Sequence, residues 1–319
     1  MTIRPLAALF LAPIAILLIS GSLTASAAQE PERPTFTSSV AVVPISALVR
    51  DSRNRIVRDL DQKDFQVLEE GRPRPIIDFK AKNDAAVSVA FLFDTSGSMR
   101  LALNLEKGIW FIEHFLSQMI PASDEAALFT FHKVLRQEVA FTSDTKRIHH
   151  ALGRVNPWGL TSLYDAVAQT AKELATRPAP RRAVVVISDG VDTSSALTAQ
   201  QVSSLASEID VPVYVVAVVS PLERGPGKSL VESEPNGNLA DLAHWTGGEL
   251  LYMTTTDQAA LVTRELMATM RTQYFLAIES ATAPGWYSLE VKTKRQGLTV
   301  RARRGYFADG PASNQRLER

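Results

Sequence analysis

Five side chains with oxygen donors follow predicted strands of this chain. They are Asp94, Ser96, Ser98, Thr161 and Asp189. The carboxyl ends of parallel strands meet at one edge of an open α/β sheet, so we expect these five residues to converge there. Two carboxylates brought together at a partly dry site repel each other, and a divalent cation is the natural way to neutralise them.

The chemistry of these donors selects the kind of cation. The set contains no imidazole and no sulfur, and the whole chain has no cysteine. Oxygen donors favour a hard ion, and a shell made mostly of hydroxyls and bound water favours Mg²⁺ over Ca²⁺, with Mn²⁺ as the alternative. The pattern therefore predicts a magnesium site, with no catalytic residue and no organic cofactor.

The elements that must position these donors alternate between apolar runs and helical patterns. The predicted parallel strands are Val87 to Phe93, Ala126 to Phe131, Ala183 to Ile187 and Val211 to Val219. Predicted amphipathic helices run from Leu105 to Leu116, from Leu163 to Leu174, from a cap at Thr198, and from a cap at Thr255 to about Met270. This alternation predicts an α/β fold with a doubly wound, mostly parallel sheet over residues 85–271.

The sequence Asp-Thr-Ser-Gly-Ser, with Thr161 and Asp189 further along, resembles the metal-ion-dependent adhesion site of von Willebrand factor A-type domains. The resemblance runs from Ala85 to Met270. It implies a Rossmann-like fold in which Ser96 and Ser98 coordinate the metal directly. It also implies that Thr161 coordinates directly or through water, and that both aspartates act mainly through water. One metal position would stay open for an acidic side chain of a protein partner.

The segments on either side of this domain show β patterns. Residues 36–82 and 272–308 are each too small to bury a two-sided core. We therefore expect them to pair into one discontinuous antiparallel β domain, with a polar tail at 309–319. Two patterns resemble those of bacterial exported proteins that carry such a β unit beside the A-type domain. They are Asp64-Phe65 with Glu70-Gly71, and the ending Arg303 to Phe307.

The amino terminus has the pattern of a signal peptide. Arg4 precedes an apolar run from Leu6 to Ile19, and Ala25-Ser26-Ala27 is a cleavage pattern, so we expect residues 1–27 to be removed. No later segment is long and apolar enough to cross a bilayer, which predicts an exported protein, periplasmic or extracellular, with no membrane span after cleavage.

Composition limits the partners. The chain has 319 residues, with 34 basic and 34 acidic side chains, so it has no basic field that would hold nucleic acid. Hydrophobic residues make up 45% of the sequence, enough for a globular core. The oligomeric state and the identity of the partner are not encoded in any pattern we find.

Three function classes are compatible with these residues. The leading one is a non-catalytic module for Mg²⁺-dependent protein interaction or adhesion. A metal-stabilised structural envelope protein is the second. A metal-assisted hydrolase is the third, and it lacks a general base because no histidine is tied to the five oxygens by a motif. The chain also has no phosphate-binding loop of the Gly-x-x-x-x-Gly-Lys type.

Other residues near the motif have structural explanations. Asp165 and Asp192 are interpreted as helix caps or surface ion-pair partners. His149 and His150 are interpreted as part of a solvated helix face, because they have no His-Glu-x-x-His pattern.

Overall fold

The computed structural model describes residues 41–81, 85–178, 181–189, 192–198, 201–202, 205–206, 210–219, 231–232 and 238–308. The predicted signal peptide, the polar tail and nearly all of the proline-rich and glycine-rich loop between Pro221 and Asn238 lie outside these residues. Within the described part, no helix combines the length and the apolarity needed to cross a bilayer.

The strands and helices follow in the order of the chain. The strands are β1 (Val42–Asp51), β2 (Phe65–Glu69), β3 (Arg72–Arg74), β4 (Asp78–Lys80), β5 (Val87–Asp94), β6 (Glu125–Phe131), β7 (Leu135–Thr142), β8 (Arg181–Ser188), β9 (Val213–Val218), β10 (Val231–Glu232), β11 (Leu250–Met253), β12 (Tyr274–Glu279), β13 (Gly285–Thr293), β14 (Leu298–Ala302) and β15 (Gly305–Ala308). The helices are α1 (Asn104–Ser117), α2 (Thr145–Leu152), α3 (Leu163–Ala175), α4 (Asn238–Trp245) and α5 (Ala259–Arg271). Short 3₁₀ segments cover Gln62–Asp64, Gly97–Leu103 and Thr256–Gln258.

A seven-stranded sheet with the order β10-β11-β9-β8-β5-β6-β7 forms the centre of the molecule. Strands β11, β9, β8, β5 and β6 are parallel, whereas β10 and β7 pair antiparallel at the two edges. The chain winds from β5 to β6 in one direction and from β8 to β9 in the other. The predicted α/β class with a doubly wound, mostly parallel sheet is therefore confirmed.

Strand β5 lies at the middle of this sheet, and all eight of its residues are buried. Its side chains alternate between two cores because successive strand residues point to opposite faces. Phe91 and Phe93 pack in the core that also holds residues of α1, α2 and α5, whereas Leu92 packs in the core with residues of α3 and α4. Each such side chain contributes about 1.5–3 kcal/mol by leaving water, so this double coverage fixes the strand end that follows.

Two four-stranded sheets with a common core form the rest of the fold. Their orders are β14-β1-β12-β4 and β15-β13-β2-β3. Ile45 of β1 lies opposite Leu276 of β12, and Val67 of β2 lies opposite Val291 of β13, both in antiparallel pairs. Each sheet thus combines strands that precede the central sheet with strands that follow it.

Buried polar contacts connect these flanking sheets to the amino-terminal edge of the central sheet. Arg181, the first residue of β8, donates hydrogen bonds to the carbonyl of Met270 and, over 3.4 Å, to that of Gln273, which directly precedes β12. The Gln273 amide donates to the hydroxyl of Tyr214 in β9 over 2.8 Å. The buried carboxylate of Glu249 lies close to the guanidinium groups of both Arg50 and Arg301. The predicted metal ligands lie at the opposite, carboxyl-terminal edge of the central sheet.

Candidate metal centre

Asp94 is the last residue of β5, and its side chain is fully buried. Its Oδ1 accepts the Ser96 N–H over 2.8 Å, and its Oδ2 accepts the Ser188 hydroxyl over 2.6 Å. Burial raises the pKa of this carboxyl to about 6, although both serines favour the ionised form. A buried acid in this condition needs a nearby positive charge when it ionises.

Asp189 follows β8 directly and is half-buried. Its negative charge is close enough to Asp94 to add to the rise in the pKa of that group. Since β5 and β8 are neighbouring parallel strands, the two carboxylates lie at the ends of adjacent strands. This juxtaposition of two acids at the sheet edge suits a divalent cation.

Ser96 and Ser98 provide a closely spaced pair of hydroxyls, with Oγ atoms 3.1 Å apart. Two neighbouring ligands of an octahedral Mg²⁺ ion, each at 2.0–2.1 Å, would lie about 2.9 Å apart. The observed distance is long for a hydrogen bond between hydroxyls, which is usually about 2.7–2.8 Å. Both Asp94 oxygens already accept hydrogen bonds, which suits a role through metal-bound water. The donor set thus fits a hard divalent ion.

The prediction that Thr161 follows a strand is wrong, because Thr161 is buried on the loop between α2 and α3. This loop is fastened to the one that follows β5, because Trp158 N–H donates to Thr95 O over 2.7 Å and Gly97 N–H donates to Gly159 O over 3.1 Å. The two backbone bonds bring Thr161 to the same edge of the sheet as the serine pair.

Three groups of contacts near this edge were not part of the predicted site. Ser188 donates a hydrogen bond to Asp94. The sequence indicated this residue only as a polar side chain at the end of an apolar strand. Asp192 Oδ1 accepts the N–H of Leu163, the first residue of α3, over 2.7 Å, so Asp192 acts as a helix cap. Asp165 accepts the N–H groups of Ala196 and Leu197, which ties segment 192–198 to α3.

A pocket of about 230 Å³ adjoins the loop that carries Trp158. The Trp158 ring lies 4.7 Å from the ring of His132 between centroids, and Arg136 and Arg154 also line the pocket.

His149 lies on α2, where its Nδ1 is 2.9 Å from Glu113 of α1. Over the described ranges, no group of three or more His, Cys, Asp or Glu side chains could hold a metal, so a metal at the sheet edge depends on hydroxyl donors.

A known protein family matches part of the central sheet in sequence. The family model of the von Willebrand factor type A domain matches residues 89–191, from within β5 to just beyond β8. No curated protein matches the chain in sequence.

Several solved structures resemble the chain at low identity. One is an aerotolerance-related membrane protein from Bacteroides fragilis, with 21% identity, a TM-score of 0.47, and coverage of 58% of this chain and 100% of that chain. Another is a von Willebrand factor type A protein from Catenulispora acidiphila, with 12% identity, a TM-score of 0.48, and coverage of 88% and 79%. A third is proximal thread matrix protein 1 from the mussel byssus with a zinc-occupied MIDAS motif, with 16% identity, a TM-score of 0.46, and coverage of 63% and 49%.

Proposed function

We propose that this chain is an exported, non-catalytic binding module that holds a Mg²⁺ ion and uses it to bind a protein partner. The metal ligands would be Asp94, Ser96, Ser98, Thr161 and Asp189, with Mn²⁺ able to replace Mg²⁺. The bound ion would supply positive charge at an open coordination position, where an acidic side chain of the partner completes the shell.

One observation carries this proposal. A buried carboxylate, Asp94, lies beside a second carboxylate, Asp189, and next to a hydroxyl pair at 3.1 Å. Without a cation this arrangement has a cost in stability, because burial and like charge both disfavour the ionised acid. A divalent ion removes that cost and is matched by the oxygen donors. The match of residues 89–191 to the type A domain supports an interaction module.

The first test is direct. Calorimetric titration of the protein without its signal peptide should show one Mg²⁺ or Mn²⁺ site per chain. The double variant Ser96→Ala with Ser98→Ala should lose this site. Ser117→Ala removes an exposed hydroxyl at the far end of α1 and should leave it intact. A wild-type protein that binds neither ion at millimolar concentration would show the proposal to be wrong.

A second test separates binding from a purely structural role of the metal. Capture of partners from an envelope extract is compared in Mg²⁺ and in EDTA, alongside thermal unfolding in the same buffers. An interaction module loses its partner in EDTA. A structural envelope protein would show a raised melting temperature in Mg²⁺ but the same partners in both buffers.

A further inference from the structure

The edge that carries the candidate metal ligands also carries unusually exposed apolar side chains. Among the large hydrophobic residues of the described ranges, the most exposed are Leu101, Leu103, Trp158 and Leu160, at 67%, 62%, 59% and 56% of their full accessibility. We refer to these four residues as the apolar rim. Large apolar side chains grouped on one surface are characteristic of sites that contact another molecule.

The rim surrounds the metal edge because its residues lie on the two loops described above. Leu101 and Leu103 follow the Ser96–Ser98 pair, whereas Trp158 and Leu160 precede Thr161. Besides the two backbone bonds between these loops, the Arg100 guanidinium donates to Asn156 Oδ1 over 3.3 Å. The rim and the metal ligands therefore belong to one continuous surface.

The backbone of the first loop shows that stability does not explain this exposure. Ala102 and Leu103 have φ angles of 49° and 59°, in the left-handed region that residues other than glycine avoid. This conformation is strained, because the Cβ of an L-residue then lies too close to the following carbonyl oxygen. Neither Leu101 nor Leu103 is buried, so the strained backbone keeps two apolar side chains exposed to water. Strain without compensating burial points to a contact made outside the chain.

The charges around the rim indicate what it contacts. Arg100 lies on the first loop, and Arg136 and Arg154 line the pocket beside Trp158 together with one acid, Glu138, so basic side chains are in excess there. A basic margin complements an acidic partner. Tryptophan and arginine are also the residue types that contribute most to binding energy at protein interfaces.

We propose that the apolar rim is a docking surface for a segment of a partner protein in which the metal-binding acidic residue is flanked by large apolar side chains. This inference rests on the proposed function. The carboxylate would reach the ion, and its apolar neighbours would pack on Leu101 and Leu103 on one side and on Trp158 and Leu160 on the other.

The test uses two synthetic peptides with fluorescent labels. One has a central glutamate with two leucines on each side, and the other has serines in place of the leucines. In Mg²⁺, the leucine peptide should bind at least about tenfold more tightly, because leucines that pack on the rim remove apolar surface from water. The double variant Leu101→Gln with Leu103→Asn should reduce that advantage, because only Trp158 and Leu160 then remain to contact the leucines, and it should not change the affinity for Mg²⁺.

The variants are chosen to keep the fold. Asparagine tolerates a positive φ, so Leu103→Asn does not add strain. Ala102→Gly relaxes the same loop while keeping both leucines, which separates loop conformation from apolar contact. Ile120→Gln removes an exposed apolar side chain beyond the other end of α1 and should change neither peptide's affinity.

Each outcome has a distinct meaning. Equal affinity for the two peptides in Mg²⁺ overturns the role of the rim but leaves the proposed function intact. Binding of the leucine peptide that persists in EDTA, or after replacement of its glutamate by glutamine, refutes the metal-dependent function instead. If neither peptide binds at millimolar concentration, the rim proposal fails, and the Mg²⁺ titration still reports on the metal site. Rim-dependent binding to phosphatidylglycerol vesicles without peptide binding would identify a membrane surface and also overturn the proposal.

Discussion

The Ser188 hydroxyl donates a 2.6 Å hydrogen bond to Asp94 Oδ2, which joins the ends of two adjacent central strands at the candidate metal site. Burial of Asp94 outweighs this bond, so the pKa of its carboxyl stays raised, at about 6. The fold thus keeps an acid where ionisation is unfavourable unless a cation is bound. This relationship has a measurable effect on stability.

We expect Asp94→Asn to stabilise the metal-free protein while abolishing its stabilisation by Mg²⁺. The folded pKa of about 6 lies above the ordinary value of 3.8, so the ionised carboxylate destabilises the fold at pH 7.5. In EDTA, the variant should gain about 1–3 kcal/mol in the free energy of unfolding measured with urea. The stability that wild type gains from Asp94 as the pH falls from about 6 toward 4 should be absent from the variant.

The exposed Asp78, whose pKa is lowered by its hydrogen bond with Lys80, provides the control. Asp78→Asn should not stabilise the metal-free protein at pH 7.5. An Asp94→Asn variant that is less stable than wild type in EDTA would show that the carboxylate is well compensated by its two serine contacts.

Gly108 allows α1 to pack directly against the central sheet, and we expect Gly108→Ala to be destabilising. A Cβ at this position would lie 2.4 Å from the Phe93 ring and 3.0 Å from Ile187. Alanine is favoured in a helix by about 1 kcal/mol, but overpacking of a core costs about 1–3 kcal/mol, so the net effect should be a loss of stability. Urea unfolding measures it.

Gly153, at the end of α2, is the matched control because a Cβ there would lie 3.8 Å from its nearest neighbour, the His150 carbonyl oxygen. Gly153→Ala should be neutral or slightly stabilising. Equal effects of the two substitutions would contradict the role of Gly108 in helix packing.

Glu249 connects the central sheet to the flanking sheets, and we expect Glu249→Gln to lower the free energy of unfolding by about 3–5 kcal/mol. Its side chain is 1% exposed, between the guanidinium groups of Arg50 and Arg301. Loss of the negative charge leaves the partly buried Arg301 with less compensation and the buried Arg50 dependent on its remaining pair with Glu265. Chemical denaturation is compared with Glu290→Gln, which breaks an exposed pair with Lys292 and should have little effect. Similar losses for both variants would argue against a special role for the buried pair.

His244 of α4 should make the protein less stable in mild acid. Burial, together with the charges of Arg304 and Arg301, lowers the pKa of its imidazole from 6.5 to about 4. The unfolded chain therefore takes up a proton below pH 6.5 that the folded chain does not accept until about pH 4. Between these two values the free energy of unfolding decreases as the pH is lowered. His244→Gln should remove this part of the decrease in urea unfolding profiles. Parallel profiles for wild type and variant over this range would contradict the assignment.

Much of the fold could be predicted because local patterns and tertiary packing agree. The apolar run Val87 to Phe93 lies in the fully buried β5. A strand that is covered on both faces has a continuous apolar sequence, which is easy to recognise. The capping pair Thr255 and Gln258 marks the turn before α5, where the Gln258 side chain accepts the N–H of Thr255. Such signals need no information from distant residues.

The elements that were missed depend on distant residues. Strand β7 carries exposed polar side chains from Arg136 to Glu138 and is a strand only because it pairs with the edge of β6. Strand β11 spans only Leu250–Met253, too short for a periodic pattern. The left-handed backbone at Ala102 and Leu103 was also not foreseen, because the surrounding sequence is ordinary helix-forming sequence.

The pairing of β1 with β12 has a consequence for the order of events during synthesis. The whole central sheet is translated between these two partners, so β1 and β2 exist for a long interval as strands with open edges. Direct closure of such a long loop is entropically costly, and open apolar strands are prone to aggregate. Folding of the central sheet brings its two ends together and shortens that loop, because Asp124 accepts the N–H of Val87, the first residue of β5, and pairs with Arg271, the last residue of α5. A ribosome-stalled chain that ends before β12 should therefore expose β1 and β2 to chaperones and proteases even when its central sheet is complete.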